Sequence, residues 1–179
     1  MGLDILAYSA IEKIDCVFNE DGEPIDSETR EPLDCDCYIQ LYVNNSFPGR
    51  ADEIENKGVY SFRDSVGFRA GSYGGYNNWR DDLAKIAGWP LGEYEQYGER
   101  RASHCIECWN GANGPFSELI NFSDCEGVIG ASVSQKLASD FKEYQTMADA
   151  HPDAYFREKY AEWRRAFELA SDSGCVKFS

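Results

Sequence analysis

The chain has 179 residues, with 32 acidic against 17 basic side chains and a formal charge of −15. That sign excludes general electrostatic binding to DNA, RNA or an anionic membrane surface, since all three are polyanions. At 42% hydrophobic and 14% aromatic residues the chain is richer in apolar surface than disordered sequences. Its length suits a single globular domain over 1–179 that buries roughly 70% of its unfolded surface.

No stretch approaches the ~20 apolar residues of a membrane span. Met1-Gly2-Leu3-Asp4 lacks the basic-then-apolar pattern of an export signal, and Leu6 stands where a myristoylation motif prefers Ser or Thr. Seven cysteines at irregular spacing then read as reduced thiols, and the expected compartment is the cytoplasm.

In chain order, Leu3 to Tyr8 has strand composition, followed by an apolar stretch at Ile11, Ile14, Val17 and Phe18. Asn19-Glu20-Asp21-Gly22 supplies a turn, because Asp-Gly tolerates the positive φ of a tight hairpin. From Glu20 to Asp36 eight acidic side chains face the single base Arg30, with Gly22, Pro24 and Pro32 among them. This predicts a solvated acidic loop or hairpin arm at about 19–36. Cys37 to Val43 is the clearest strand, rich in β-branched and aromatic residues. Val59 to Phe62 and Gly67 to Arg69 predict two short strands around a turn at Asp64-Ser65.

A helix is predicted over Asn77 to Ala87, capped by Asn77 or Asn78, with Trp79, Leu83 and Ile86 on its apolar face and Gly88 and Pro90 ending it. Leu91 to Pro115 loses periodicity and reads as a loop or irregular hairpin. Leu119 to Phe122 reads as a short strand, with a helical turn from Pro115 as the alternative. Val133, Leu137, Phe141, Tyr144 and Ala148 recur at helical spacing. Pro152 suits the first turn of the next helix, where Phe156, Tyr160, Trp163, Phe167 and Ala170 form a continuous seam. His151 is expected to cap the preceding helix. Beyond Gly174, Cys175 to Phe178 is expected as an edge strand. Early strands and a late helix pair predict an α+β fold: a mainly antiparallel sheet with helices packed on one face.

The segment Phe68 to Arg80 is the leading candidate for chemistry. A glycine-rich turn (Gly71, Gly74, Gly75) entering a helix N-terminus can present free amides to an anion or nucleotide. Arg69, Ser72, Tyr73, Tyr76, Asn77 and Arg80 are the expected ligand contacts; the alternative is a tight turn with its tyrosines packed on a sheet. The spacing matches neither a P-loop nor a dinucleotide fingerprint. Asp124 and Glu126, two apart and on one side of an extended backbone, could divide acid and base roles in a hydrolase, with or without a metal held together with Asn121 and Ser123. The plain alternative is turn and capping hydrogen bonds. Cys35, Cys37, Cys105 and Cys108 form a C-x-C and a C-x-x-C that four-thiolate zinc could use, or are simply small buried residues. Aligned as a calcium loop, the acidic arm puts Val17 where the first carboxylate belongs, and no Gly-x-Ser-x-Gly elbow accompanies His104 or His151.

Met1 to Ile5, Phe47 to Asp52, Phe68 to Arg80, Glu118 to Gly130 and Trp163 to Phe178 together resemble a family of small bacterial and phage-encoded proteins with no assigned function. The resemblance covers most of the chain, implies a phage-associated accessory role, and carries over no catalytic residue or substrate. The resulting expectation is an accessory protein, without a cofactor, that binds a small anionic or nucleotide-like ligand at the glycine turn, with Asp124 and Glu126 across the site. The rivals are the Asp124/Glu126 hydrolase and an acidic inhibitor that engages a basic protein through the 20–36 arm.

Overall fold

The protein's structure, a computed structural model, describes residues 2–34 and 37–179. Strand β1 (Gly2–Ser9) organises it. On one side β1 pairs with β11 (Cys175–Phe178) and on the other with β7 (Asp64–Ser72), while β10 (Gly127–Gly130) pairs outside β11. The resulting antiparallel sheet has the order β10-β11-β1-β7. Strand alternation sends Leu3, Ile5 and Ala7 to one face together with Val176, Phe178 and Ile129; Tyr8, Val128 and Cys175 go to the other.

Helices cover the first face. They are α1 (Tyr73–Ile86), α4 (Ala131–Glu143) and α6 (Ala154–Ala170), with short turns α2 (Ile106–Trp109), α3 (Ser117–Ile120) and α5 (Gln145–Asp149) between them. The seam read from the sequence of α6 is the centre of this layer. Trp163 lies 5.5 Å from Tyr76, 5.7 Å from Trp79 and 5.5 Å from Phe178, ring centre to ring centre, and Phe141 of α4 meets Tyr160 at 4.8 Å. Each of these side chains is fully or almost fully buried, worth roughly 2–3 kcal/mol apiece in apolar area removed from water. The opposite face is covered by Leu41, Ala51, Ile54 and Tyr60, carried by a small sheet of β2 (Glu12–Lys13), β6 (Val59–Ser61) and β5 (Tyr38–Gln40) and the chain between β5 and β6. The fold is α+β, with the helices on one face of an antiparallel sheet.

The acidic arm begins as the hairpin β3 (Cys16–Phe18) and β4 (Pro24–Asp26). Its turn is the expected one: Gly22 has φ +80 and Asn19 Oδ1 accepts from the amides of Asp21 and Glu23 at 3.0 and 2.9 Å. Neither core draws a side chain from residues 16–34.

Several elements depart from their sequence reading. Cys175–Phe178 is an interior strand, because β10 closes the sheet beyond it in a segment whose glycines mask its strand character. β7 runs nine residues and pairs with β1, so no turn occurs at Asp64-Ser65. The strand expected over Cys37–Val43 is limited to Tyr38–Gln40. The region after Leu91 holds the regular hairpin β8 (Gly92–Gln96) and β9 (Glu99–Ser103), joined through Tyr97 and Gly98, both with positive φ as a two-residue turn requires. Leu119 and Ile120 belong to helix α3, where both are completely buried. The predicted helix through Ala148 breaks at Tyr144. Pro152 precedes the cap of α6, which is Asp153, its Oδ1 accepting from Tyr155 N at 2.9 Å. His151 does not close the preceding helix with its side chain: Nδ1 accepts from Asp153 N and the ring packs on Phe156.

Candidate functional site

Helix α1 starts four residues earlier than the sequence predicted. Ser72 is the cap, its Oγ accepting from Gly75 N at 3.1 Å. Gly71, at φ +110, is the point where β7 turns into the helix. The glycines therefore form the end of a strand and a first helical turn, with no loop between them. Part of the amide set expected to meet an anion is satisfied by the cap.

The six expected ligand residues separate. Tyr76 is fully buried, its ring stacked toward Trp79 and Trp163, and burial raises its hydroxyl well above the ordinary tyrosine range. Tyr73 packs against the helix-side core. Arg80 is 5% exposed and turns inward: its guanidinium donates to Ile120 O at 3.1 Å, Phe122 O at 2.6 Å and Asn77 Oδ1, and lies 4.5 Å from the centre of the Tyr76 ring. Arg69 is exposed on β7, 3.8 Å from Asp4. Ser72 is exposed but serves as the cap. Asn77 lines a cleft beside the helix. For Tyr73 and Tyr76 the packed-tyrosine reading is the one observed, and Arg80 is committed within the fold while Arg69 makes only an exposed pair with Asp4.

Asn77 also joins the two segments that the sequence suggested might meet. Its Nδ2 donates to Asp124 Oδ2 at 3.0 Å, while its Oδ1 accepts from Arg80. Glu126 is elsewhere. Ser123 Oγ accepts from the amides of both Cys125 and Glu126, at 3.3 and 3.1 Å, so the backbone there is a turn and not extended. Glu126 lines a separate groove with Tyr42, Asn44, Asn45, Asn56 and Gly127. The extended-backbone argument for pairing Asp124 with Glu126 therefore does not hold.

The cysteines divide by burial. Cys105 and Cys108 lie inside the helix-side core around α2, and desolvation pushes their thiols up to about 11 and about 12. Cys37 is exposed beside Asp34, its Sγ 3.7 Å from Oδ2, and Cys35 lies outside the described residues. Among the described residues no group of three or more His, Cys, Asp or Glu side chains is arranged to hold a metal ion.

A cleft of about 660 Å³ lies between the solvent face of α1 and the β8–β9 hairpin. Gly74, Asn77, Asn78, Asp81 and Asp82 line it at helical spacing from below; Tyr94, Gln96 and Arg101 descend from the hairpin, and Trp109 of α2 closes one end. Tyr94 and Trp109 meet edge to face at 5.6 Å. Asp81 fixes the hairpin to the helix, accepting from Ser103 Oγ at 2.5 Å and His104 N at 2.6 Å. Asp82 is left facing the cleft, with His151 Nε2 3.9 Å away. A shallower extension, sharing Asn78 and Asp82, continues past Trp79 to Asp153, Tyr155 and Phe156.

Most of this lining escaped sequence reasoning. The region after Leu91 reads from sequence as a loop or irregular hairpin, so its strands, and the residues they bring to the cleft, are not evident there. The usable signal was the alternation of Tyr94 with Gln96, which places both on one face of a strand. Set against models of known protein families, curated proteins and solved structures, the chain matches none.

Proposed function

We propose that the protein is a binding protein for a small, ring-bearing polar ligand of nucleoside type, held without its phosphate in the cleft between α1 and the β8–β9 hairpin. The carrying observation is the lining itself: two aromatic rings at one end, and the side chains of Asn78, Asp82, Gln96 and Arg101 converging on about 660 Å³. That volume suits a ligand of this size. Trp109 and Tyr94 offer a surface for a flat base, and a carboxylate such as Asp82 accepts from vicinal hydroxyls. Asp81 and Asp82 against the single Arg101 oppose a phosphate, and the arginines once assigned to an anion are engaged with Asp4 and with backbone carbonyls. These charges favour an uncharged ligand over the small anionic or nucleotide-like one expected from the sequence.

Thermal-shift and calorimetric titration with purine and pyrimidine nucleosides, beside their 5′-monophosphates, tests this. Nucleosides should bind, the added phosphate should weaken binding, and Trp109→Ala should reduce affinity by about tenfold or more, the scale of one base–aromatic stack. Binding confined to phosphorylated compounds, or undiminished in Trp109→Ala, would overturn the reading.

A further inference from the structure

β7 is an outer strand of the main sheet, and its hydrogen-bonding direction can be followed residue by residue. Asp4 and Ser179 exchange both backbone bonds, at 2.8 and 3.0 Å, so Asp4, Leu6 and Tyr8 point their backbone groups toward β11. Antiparallel alternation then turns Ile5, Ala7 and Ser9 toward β7, where they face Phe68, Val66 and Asp64. The N–H and C=O groups of Ser65, Gly67 and Arg69 consequently point out of the sheet. All three residues are exposed, and among the described residues no other element bonds to these groups. A nine-residue edge without proline or an inward-turned lysine is a template for another strand.

We infer that this edge pairs with the same edge of a second copy of the chain, antiparallel about a two-fold axis at Gly67, joining two four-stranded sheets into one. The two-fold requires outward residues to face outward residues; centring it on Gly67 engages all three of them and sets Ser65 of each copy opposite Arg69 of the other. The strand is self-complementary in that register. On the helix side, half-buried Val66 of each copy comes opposite Phe68 of the other, an aromatic–β-branched pair formed twice. On the same side, the Phe68–Ala70 end carries Lys159, paired with Glu162 at 2.7 Å: its Nζ lies 5.9 Å from the Phe68 ring and 5.5 Å from that of Tyr155, whose hydroxyl donates to Ala70 O at 3.3 Å. The other end carries Asp64. Reversing the strand directions brings each Asp64 to the Lys159 end of its counterpart.

Charge around the edge also permits self-association. Arg63, Arg69 and Lys159 stand against the carboxylates they pair with, Asp4, Asp64, Asp172 and Glu162, so this surface carries little of the chain's net charge of −15. Like-charge repulsion between copies is therefore limited here. Gly67 at the axis presents no side chain to obstruct the approach.

The test is molar mass by light scattering over a dilution series, with hydrogen exchange on the same samples. A species of twice 20.2 kDa should fall to the single-chain mass on dilution, and the amides of Gly67 and Arg69 should exchange slowly only in the heavier species. Ser65→Pro removes one outward donor where an edge strand tolerates proline, and Asp64→Lys sets like charges at both ends. Each should move the dissociation midpoint up by about tenfold or more. A single-chain mass at every concentration overturns the inference whatever the variants do. So does a dimer whose Gly67 amide exchanges freely, or one that both substitutions leave unchanged.

Discussion

Arg80 and Arg69 carry the same charge eleven positions apart in sequence, and the structure predicts opposite consequences for losing it. In Arg80→Met the stem stays and the guanidinium goes. The carbonyls of Ile120 and Phe122 then lose the donor that reaches them at 3.1 and 2.6 Å, at about 1–3 kcal/mol for each buried acceptor left unpaired. The contact with the Tyr76 ring at 4.5 Å, worth up to about 2 kcal/mol when desolvated, is lost as well. Against this stands relief from burying a charge at 5% exposure. The net expected loss is about 3–4 kcal/mol, a large part of the ~5–15 kcal/mol that holds a typical domain together. For a chain of this length that is a fall in Tm of roughly 10 °C. Arg69→Met removes only an exposed pair at 3.8 Å and should change stability by less than about 0.5 kcal/mol. Urea unfolding followed by circular dichroism measures both. An Arg80→Met protein within about 1 kcal/mol of the parent would show that the guanidinium is not what fastens the Ile120–Asp124 segment to α1.

Two further outcomes follow from packing and burial. A β-carbon on Gly174 would lie 1.9 Å from Tyr8 O and 3.0 Å from the Ala170 α-carbon, both backbone atoms that cannot swing aside, so Gly174→Ala should cost about 3 kcal/mol or more in urea unfolding; a variant as stable as the parent would contradict that geometry. Alkylation of the native protein at mildly alkaline pH should modify exposed Cys37 and Cys125 well before Cys105, Cys108 and Cys175, whose burial raises their thiols to about 11, about 12 and about 12. Because the native state holds those protons more tightly than the unfolded chain, their contribution to stability is complete below the ordinary thiol value of 9.0. It declines as pH rises from there toward 11–12. A urea midpoint that stays level or rises across that window would refute the assignment.

The elements that were legible in the sequence bury one face along a regular repeat. The α6 seam and the alternation in Leu3–Tyr8 each dictate an amphipathic element without reference to any other part of the chain, and Asp21-Gly22 dictates its turn by backbone conformation alone. β7 and β10 were poorly legible for the converse reason. Gly67, Gly71, Gly127 and Gly130 interrupt their patterns, and only pairing with β1 and β11 makes them strands. The start of α1 was misplaced because glycine is a poor helix former, yet Gly74 and Gly75 are carried into the first turn by the Ser72 cap and by Tyr76, whose burial against Trp163 outweighs propensity.

Composition, charge and periodicity by themselves determined the class of fold, the helix pair and the acidic hairpin, because each depends on properties summed over a local stretch. Which polar side chains share a surface was decided only by tertiary structure. Arg80 turned inward because the Ile120 and Phe122 carbonyls need a donor; Asp124 reached Asn77 across forty-seven positions; Asp82 came to share a cleft with Tyr94 and Gln96 because Asp81 ties the end of a distant hairpin to the helix. A cleft is a relation between elements remote in sequence, and no local pattern encodes that distance.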